Sequence, residues 1–331
     1  MAQAAGAPAC ATPTSAISKE GYVKANGIEQ WVTIKGSNCA NPVIVFVHGG
    51  PGNPNTPYAD GVYGGWARDF TLVQWDQRGA GRTWGRNRPG EDVPLTMEQL
   101  TADGIAVVEH VTAALGKRKV ILMGSSWGSA LGVHMLKARP GLFHAWVGTA
   151  HLVSHADLKG AWEATLARAQ ALGDKDNVAR LEAMASPPWT NPRHFGVMRR
   201  AMRKYESAVT DPAPKSWWVR APAYSGARDL ADYEAGEEYS FIEFVGMKGD
   251  GIGSRIDLPA LGINFDMPVF MVQGSEDLLT RPEATRAYFD RIEAPLKEYV
   301  LVPRTGHDPN QPMVEAQFRL LKERVAPLAR D

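Results

Sequence analysis

The chain has 331 residues with 36 basic and 36 acidic side chains, so its formal net charge at pH 7 is zero. This balance gives no electrostatic basis for binding nucleic acid or an anionic membrane. Hydrophobic residues make up 44% of the chain, which is ordinary for a globular protein, and no apolar run approaches the roughly 20 residues that span a bilayer. The length predicts one large domain with an insertion.

Residues 1–19 are rich in Ala, Pro, Thr and Ser and are predicted to form an irregular arm. The first ten residues lack the basic and apolar segments of a signal peptide, but they look like the remainder after such a signal is removed. Cys10 could pair with Cys39 in an oxidising compartment, or both could stay unpaired in the cytosol. Export is favoured over the cytosol. No Cys and His cluster has zinc spacing, so we expect no metal.

Two predicted strands in residues 21–34 flank Asn26-Gly27, a strong hairpin signal. The apolar strand Pro42–Val47 then runs into the glycine-rich segment His48–Gly52. A glycine-rich backbone after a central strand can point N–H groups at a reacting oxygen, and we expect Gly50 to donate one, with Gly49 second. We expect His48 to pin this loop by hydrogen bonds rather than to act as a base.

The next strand, Phe70–Trp75, ends in a charged, glycine-rich loop. Its residues Asp76 and Arg78 are interpreted as structural ion-pair or loop residues. Thr96 is predicted to open a helix, with Gln99 at the capping-box position and Gly116 at the C-terminal cap.

A short apolar strand from Lys119 leads directly into Gly124-Ser125-Ser126-Trp127-Gly128, a match to G-x-S-x-G. A strand that turns at once into a helix holds the central serine in a strained backbone conformation at the helix N-terminus. Ser126 is therefore the candidate nucleophile, and the N–H of Trp127 is the second expected oxyanion donor. The helix is predicted over Trp127–Ala138, and the next strand over Phe143–Gly148. Alternating strands and helices predict an α/β fold, with a mostly parallel sheet and helices on both faces.

No buried strand is evident in residues 151–264, which we interpret as an α-helical cap inserted into the sheet domain. Amphipathic helices are predicted over Leu158–Leu172 and Asn177–Ala185, followed by an acidic and aromatic stretch, Asp229–Phe244. A cap above the nucleophile would exclude water and select the substrate.

Strand alternation resumes at Pro268–Gln273, and Asp277 follows a few residues later. Asp277 is the candidate acid, with neighbouring Glu276 as the alternative. A helix over residues 282–292 and a strand over residues 297–302 then lead to His307, and a last helix is predicted over residues 312–325. The chain order Ser126, Asp277, His307, each just past a strand end, is the order of the α/β-hydrolase triad.

These residues resemble the proline iminopeptidase-like group of α/β-hydrolases. The resemblance rests on His48-Gly-Gly-Pro-Gly52, the segment Asp76–Thr83, Gly124–Ser129, Gly274-x-x-Asp277 and Gly306-His307. It covers the predicted hydrolase core, which comprises residues 20–150 and 265–331. The resemblance implies release of an N-terminal residue, often proline, from a peptide or aryl amide, with no metal or organic cofactor.

In that family, cap glutamates bind the free amino terminus of the substrate. The candidates here are Glu234, Glu237, Glu238 and Glu243, of which we select Glu234 and Glu238. A solvated helix face is the alternative interpretation. Trp162-Glu163 is similar to a Trp-Glu pair of the family but lies in an ordinary helical pattern, and His151 is a further pocket candidate. Two other functions stay open: a carboxylesterase or lactonase with the same triad, and a catalytically silent ligand-binding protein.

Overall fold

The computed structural model describes residues 10, 12, 14–90 and 93–329. Eight strands form one sheet in the order β1-β2-β4-β3-β5-β6-β7-β8. The pairs β1–β2 and β2–β4 are antiparallel, and every later pair is parallel. The strands are β1 (Ile17–Ala25), β2 (Ile28–Gly36), β3 (Val43–Val47), β4 (Thr71–Trp75), β5 (Val120–Ser125), β6 (Phe143–Thr149), β7 (Val269–Gly274) and β8 (Lys297–Val302).

Helices of the described residues pack on both faces of this sheet or lie in the insertion between β6 and β7. They are α1 (Ala59–Tyr63), α2 (Gly81–Arg86), α3 (Met97–Leu115), α4 (Trp127–Ala138), α5 (Asp157–Ala171), α6 (Lys175–Ala183), α7 (Arg193–Ser207), α8 (Ala227–Val245), α9 (Pro282–Arg291) and α10 (Gln311–Leu320). The mostly parallel α/β architecture predicted from the alternation is confirmed. No helix in the described part of the chain is long and apolar enough to cross a bilayer.

Local sequence signals explain several element boundaries. Asn26 and Gly27 both adopt positive φ, 48° and 84°, as a two-residue hairpin between twisted strands requires. Thr96 accepts a hydrogen bond from the N–H of Gln99, which caps α3, and Gly116 ends this helix in the left-handed conformation. The hairpin and both caps of α3 are therefore confirmed.

Two boundaries differ from the prediction. Strand β1 begins at Ile17, inside the predicted arm of residues 1–19, because it pairs along its full length with β2. The last predicted helix, residues 312–325, is α10 followed by a π-helical turn, Leu321–Val325. Residues 1–9 of the predicted arm lie outside the described residues.

Cys10 and Cys39 form a disulfide that ties the end of the arm to the β2–β3 loop.

The four helices α5–α8 form the part of the chain between β6 and β7. Residues of α5, α6 and α7 pack around a small apolar cluster separate from the two clusters that cover the sheet: Ala161, Ala169, Leu181, Met184, Met198, Ala201, Met202 and Tyr205. Helix α7 was absent from the sequence prediction. Its first turns carry several arginines and a glycine, Arg193-His-Phe-Gly-Val-Met-Arg-Arg200, but its buried residues Met198, Ala201, Met202 and Tyr205 recur at helical spacing. The signal for this helix was therefore present in the sequence and was missed.

Candidate active site

Ser126 lies in the sharp turn between β5 and α4. Its backbone has φ 52° and ψ −121°, a strained conformation for a residue with a side chain. The flanking glycines make this turn possible, because a Cβ at Gly124 would strike the carbonyl of Gly128, and a Cβ at Gly128 would strike the carbonyl of Val47. The G-x-S-x-G spacing is therefore a packing requirement of the turn, which presents Ser126 at the N-terminus of α4.

A continuous hydrogen-bonded chain joins Ser126, His307 and Asp277. The Nε2 atom of His307 lies 2.9 Å from the Oγ atom of Ser126. Its Nδ1 atom lies 3.0 Å from Oδ2 and 3.2 Å from Oδ1 of Asp277. Asp277 and His307 follow β7 and β8, and Ser126 follows β5, so three parallel strand ends bring the side chains together as the sequence predicts.

Asp277 sits in a set of hydrogen-bond donors. It accepts bonds from the N–H groups of Leu279 (2.9 Å) and Thr280 (2.8 Å), from the Thr280 hydroxyl (2.7 Å) and from the Gln273 amide (3.0 Å). Burial acts to raise the pKa of Asp277, but the His307 imidazole and the Thr280 donors outweigh it, and the pKa is lowered. These bonds fix the carboxylate in its charged form, pointing at the imidazole.

The alternative acid, Glu276, does not contact His307. Its side chain accepts a bond from the Ser275 hydroxyl at 3.2 Å, and its N–H donates to the Thr305 carbonyl at 2.8 Å. The structure thus places Asp277, not Glu276, against the imidazole. Sequence reasoning missed Thr280 and Gln273. An aspartate side chain in a loop often accepts bonds from backbone N–H groups a few residues later, so the bond from the Thr280 N–H had a local signal, whereas the bond from Gln273 had none.

His48 holds the glycine-rich loop after β3 through three hydrogen bonds. Its Nδ1 donates to the Gly49 carbonyl (2.8 Å), its Nε2 accepts from the Gln77 N–H (3.2 Å), and its carbonyl accepts from the Gln77 side chain (2.9 Å). Burial lowers the pKa of His48 to about 4, so the ring is neutral. The Gln77 side chain also accepts from the Trp127 indole at 3.0 Å. Gln77, which the sequence analysis did not single out, thereby connects this loop to the elbow.

Asp76 and Arg78 both serve the scaffold, as expected. Asp76 is buried, where it accepts bonds from the Thr56 hydroxyl (2.6 Å) and the Arg82 N–H (2.9 Å), and burial raises its pKa to about 7. Arg78 makes a two-bond ion pair with Asp103 of α3, at 2.7 and 2.9 Å. Neither side chain touches Ser126 or His307.

A cavity of about 890 Å³ lies between the sheet edge and the inserted helices, and Ser126 and His307 open into it. Gly49, Gly50 and Trp127 line it beside the nucleophile. Gly49 packs directly on the Ser126 turn, because a Cβ there would lie 3.5 Å from the Cβ of Ser126. Gly50 has φ 108°, and a Cβ on it would strike Gly52 and Asn53 of the same loop. Much of the remaining wall is apolar: Leu152, Val153, Leu158, Trp189, Phe195, Phe241, Phe244 and Leu279.

Comparison with known proteins identifies the family to which this fold belongs. The family model for the alpha/beta hydrolase fold matches residues 42–310. The chain belongs to the alpha/beta hydrolase family. It is 24% identical over 306 residues to a Bacillus subtilis protein named a probable aminopeptidase, covering 89% of this chain and 92% of the relative. It is 28% identical to a Streptomyces coelicolor protein named a probable proline iminopeptidase, covering 72% and 76%.

A solved proline iminopeptidase from Mycobacterium smegmatis superposes on this alpha/beta hydrolase with a TM-score of 0.64 and 20% identity. The match covers 92% of this chain and 93% of that one. The expected resemblance to proline iminopeptidase-like hydrolases is thus confirmed.

Three carboxylates of the hydrolase's helix α8 face the cavity. Glu234, Glu237 and Glu238 line it, on exposed positions of the helix. Among the described residues, none of these three glutamates takes part in an ion pair. Glu243, the fourth candidate, is instead structural, because it accepts the N–H of Leu95 at 2.9 Å.

The opposite side of α8 is fastened to the core in successive turns. The contacts are Asp229 with Arg82 (2.7 Å), Asp232 with Arg88 (2.9 Å), Ser240 with the Gly79 carbonyl (2.8 Å) and Glu243 with Leu95. Helix α8 is therefore a fixed wall of the cavity. It packs on the glycine-rich loop after β3, because a Cβ at Gly52 would lie 2.9 Å from the Cα of Glu237, and so holds its cavity-lining carboxylates at a set place.

His151 lines the cavity but is 98% buried, with its exposed fraction at 2%. Its Nε2 accepts a bond from the Trp146 indole at 3.3 Å, and burial lowers its pKa to about 3. It is a neutral part of the wall.

Trp162 and Glu163 lie away from the cavity lining: Trp162 donates to the Leu181 carbonyl, and Glu163 pairs with Lys159 on the surface. Among the described residues, no cluster of three or more His, Cys, Asp or Glu side chains could hold a metal ion.

Proposed function

We propose that the protein is a serine hydrolase that acts through an acyl-enzyme. The observation that carries this proposal is the bonded chain from Ser126 through His307 to Asp277, starting at a serine on a strained elbow. In this proposal Ser126 is the nucleophile, His307 is the general base and Asp277 orients and stabilises the imidazole.

The reaction follows from this geometry. As the Oγ atom of Ser126 attacks the substrate carbonyl, its proton passes to Nε2 of His307. Asp277 stabilises the resulting imidazolium through Nδ1–H. When the tetrahedral intermediate collapses, His307 gives that proton to the leaving group and an acyl-Ser126 ester remains. Water then attacks this ester by the same proton route and frees Ser126.

The developing oxyanion needs donors beside Ser126. We assign these to the backbone N–H of Trp127, the first residue of α4, and to the N–H of Gly50, with Gly49 as the alternative. A first-turn helix N–H has no intrahelical acceptor, so Trp127 is free to donate. Loss of one such donor typically costs about 3–4 kcal/mol of transition-state stabilisation.

The substrate class proposed is a short peptide or aryl amide with a free N-terminal residue, proline or similar. Two observations support it: the relatives bear aminopeptidase and proline iminopeptidase names, and unpaired glutamates stand at the cavity wall. A carboxylate such as Glu234 or Glu238 would bind a protonated α-amine by a charge-assisted bond. His151 would contribute shape rather than charge.

A small carboxylic ester or lactone is the second candidate. The aromatic and aliphatic lining of the cavity favours it, because such a surface suits an uncharged acyl group and needs no amine. A silent ligand-binding protein is disfavoured because the bonded chain is complete.

Parallel assays separate these functions. Prolyl arylamide, its N-acetylated form and a short-chain aryl ester are compared, with Ser126→Ala as the blank. We expect cleavage of the free-amine amide, at least tenfold loss on acetylation and no activity in Ser126→Ala. Ester cleavage alone would support the second candidate. Unchanged turnover in Ser126→Ala would reject both.

A further inference from the structure

Glu206, at the end of helix α7, lies behind the two loops that carry Asp277 and His307. It is 5% exposed. Its Oε1 accepts the N–H of Leu278, the residue after Asp277, at 2.9 Å. Its Oε2 accepts the N–H of His307 itself through a longer bond of 3.4 Å. One carboxylate of the inserted helices thus touches the backbone of both loops.

Arg199, two turns earlier on the same face of α7, holds this carboxylate in place. Its Nη1 lies 3.3 Å from Oε2 of Glu206, and its Nη2 lies 2.8 Å from Oδ1 of Asp308. The Arg199 side chain is only 10% exposed, so the pair is shielded from solvent. Asp308 adjoins His307, and Arg199 therefore adds a second tie from α7 to the histidine loop.

The Glu206 side chain packs tightly against the loop that carries His307. A Cβ at Gly306 would lie 3.0 Å from Oε2 and 3.2 Å from the Cβ of Glu206, so the histidine loop rests against this side chain. The loops also meet directly, through the Glu276 N–H and the Thr305 carbonyl at 2.8 Å. The position of His307 relative to Asp277 thus depends on contacts that include a residue of the insertion.

We propose that Glu206 is a positioning residue, which clamps the acid loop to the histidine loop and so makes the docked α7 a condition for an aligned triad. This inference rests on the proposed serine-hydrolase function. Its physical basis is that proton transfer between Ser126, His307 and Asp277 needs bond-length alignment, and a displacement of about 1 Å can cost about 100-fold in rate.

Glu206 is not placed to bind the substrate. Both of its carboxylate oxygens already accept hydrogen bonds from the protein, and it does not line the cavity, whereas Arg199 and Asp308 do. Its loss should therefore change the rate of the chemical step rather than the affinity for substrate.

The test compares Glu206→Gln with wild type in kcat, KM and the rate at which a neutral fluorophosphonate labels Ser126. The amide oxygen of glutamine can still accept from Leu278, but its NH₂ group faces the N–H of His307 and Arg199, donor against donor. We expect kcat and the labelling rate to fall by about 10- to 100-fold, with KM changed less than threefold. Glu206→Leu, which removes both acceptors, should lose more.

Asp103→Asn is the matched control, because Asp103 is also a buried, arginine-paired carboxylate but contacts neither loop. It should lower the melting temperature and leave kcat and labelling unchanged well below that temperature. If Glu206→Gln and Glu206→Leu also lose only stability, the positioning role is overturned. A raised KM with normal labelling would overturn it in favour of a binding role. Absence of labelling in wild type would instead overturn the proposed function.

Discussion

Ser126 shows how single residues make this site, because its strained backbone is tolerated only where two glycines remove Cβ atoms from the turn. The bonded partners of Ser126 come from other strand ends, so each triad member owes its position to a different local feature. The acid is the triad member for which the sequence offered an alternative, with Asp277 as the candidate and Glu276 beside it.

Asp277→Asn should lower kcat by about 10³- to 10⁴-fold while the fold is retained. An amide at this position can present its NH₂ to His307, which favours the wrong imidazole tautomer and no longer stabilises the imidazolium. Glu276→Gln is the matched control, since this adjacent carboxylate does not contact His307. Steady-state kinetics of both variants decide the matter, and a loss confined to Glu276→Gln would contradict the assignment.

His48 gives a pH-dependent prediction. Burial lowers the pKa of His48 to about 4 in the folded protein, whereas the same imidazole has a pKa near 6.5 in the unfolded chain. Between these values the unfolded state binds more protons, so the contribution of His48 to stability is present above pH 6.5 and is lost as the pH falls toward 4. Relative to His48→Gln, which does not titrate there, wild type should lose about 3 kcal/mol of unfolding free energy over this range.

Denaturant unfolding at a series of pH values measures that difference. Asp76, whose raised pKa acts in the opposite direction over much of the same range, is present in both proteins and cancels in the comparison. A pH-independent difference between wild type and His48→Gln would contradict a buried neutral histidine.

The residues found from sequence share one property: each follows a strand end within a recognisable local pattern. Ser126, Asp277, His307 and the loop residue His48 are of this kind. The sequence analysis did not identify Gln77, Thr280 and Glu206, because each acts through hydrogen bonds to residues of the site that only the folded structure shows. A buried glutamate at the end of a polar helix has no sequence signature that separates it from a solvated one.

At the scale of elements, helix α8 combines a fastened face with a face of free carboxylates. The salt bridges to Arg82 and Arg88 explain why its acidic sequence is not wholly a solvated face. The sequence indicated a helical insertion here but not the division of these acids between two faces, since that division depends on which core loops lie beneath the helix.

Glu234→Gln or Glu238→Gln, whichever removes the carboxylate that binds the amine, should raise KM for a prolyl arylamide by about 10- to 100-fold, because one charge-assisted bond contributes about 1.5–3 kcal/mol. Activity on an uncharged aryl ester should be unchanged. Glu163→Gln is the control, since Glu163 lies outside the cavity lining and is solvent-exposed. Unchanged KM in both variants and in their combination would remove Glu234 and Glu238 from amine recognition.

At the scale of the whole molecule, the parallel sheet carries the site and the insertion covers it. The core fold follows from the sequence because buried parallel strands read as continuous apolar runs, such as Val43–Val47 and Val269–Gly274. Helix α7 was missed although its sequence is strongly amphipathic, and its apolar residues pack on other inserted helices rather than on the sheet. The insertion was therefore recognisable as helical but not readable in detail.

The disulfide between Cys10 and Cys39 closes a loop with a sequence separation of 29 residues. Chain entropy alone assigns such a loop about 3–4 kcal/mol of stabilisation. The double variant Cys10→Ser/Cys39→Ser should lose up to that amount in denaturant unfolding, and reduced wild type should match it. Equal stability of oxidised wild type and the double variant would show that the bond does not constrain the unfolded chain. A bond retained in cells requires an oxidising compartment.

The central claim is that Ser126 is a nucleophile activated by His307, and intact-protein mass spectrometry after fluorophosphonate treatment tests it most directly. We expect one adduct on wild type, located at Ser126 by peptide mapping, no adduct on Ser126→Ala, and labelling at least 100-fold slower on His307→Ala. An unlabelled wild type, or equal labelling of wild type and Ser126→Ala, would contradict the account.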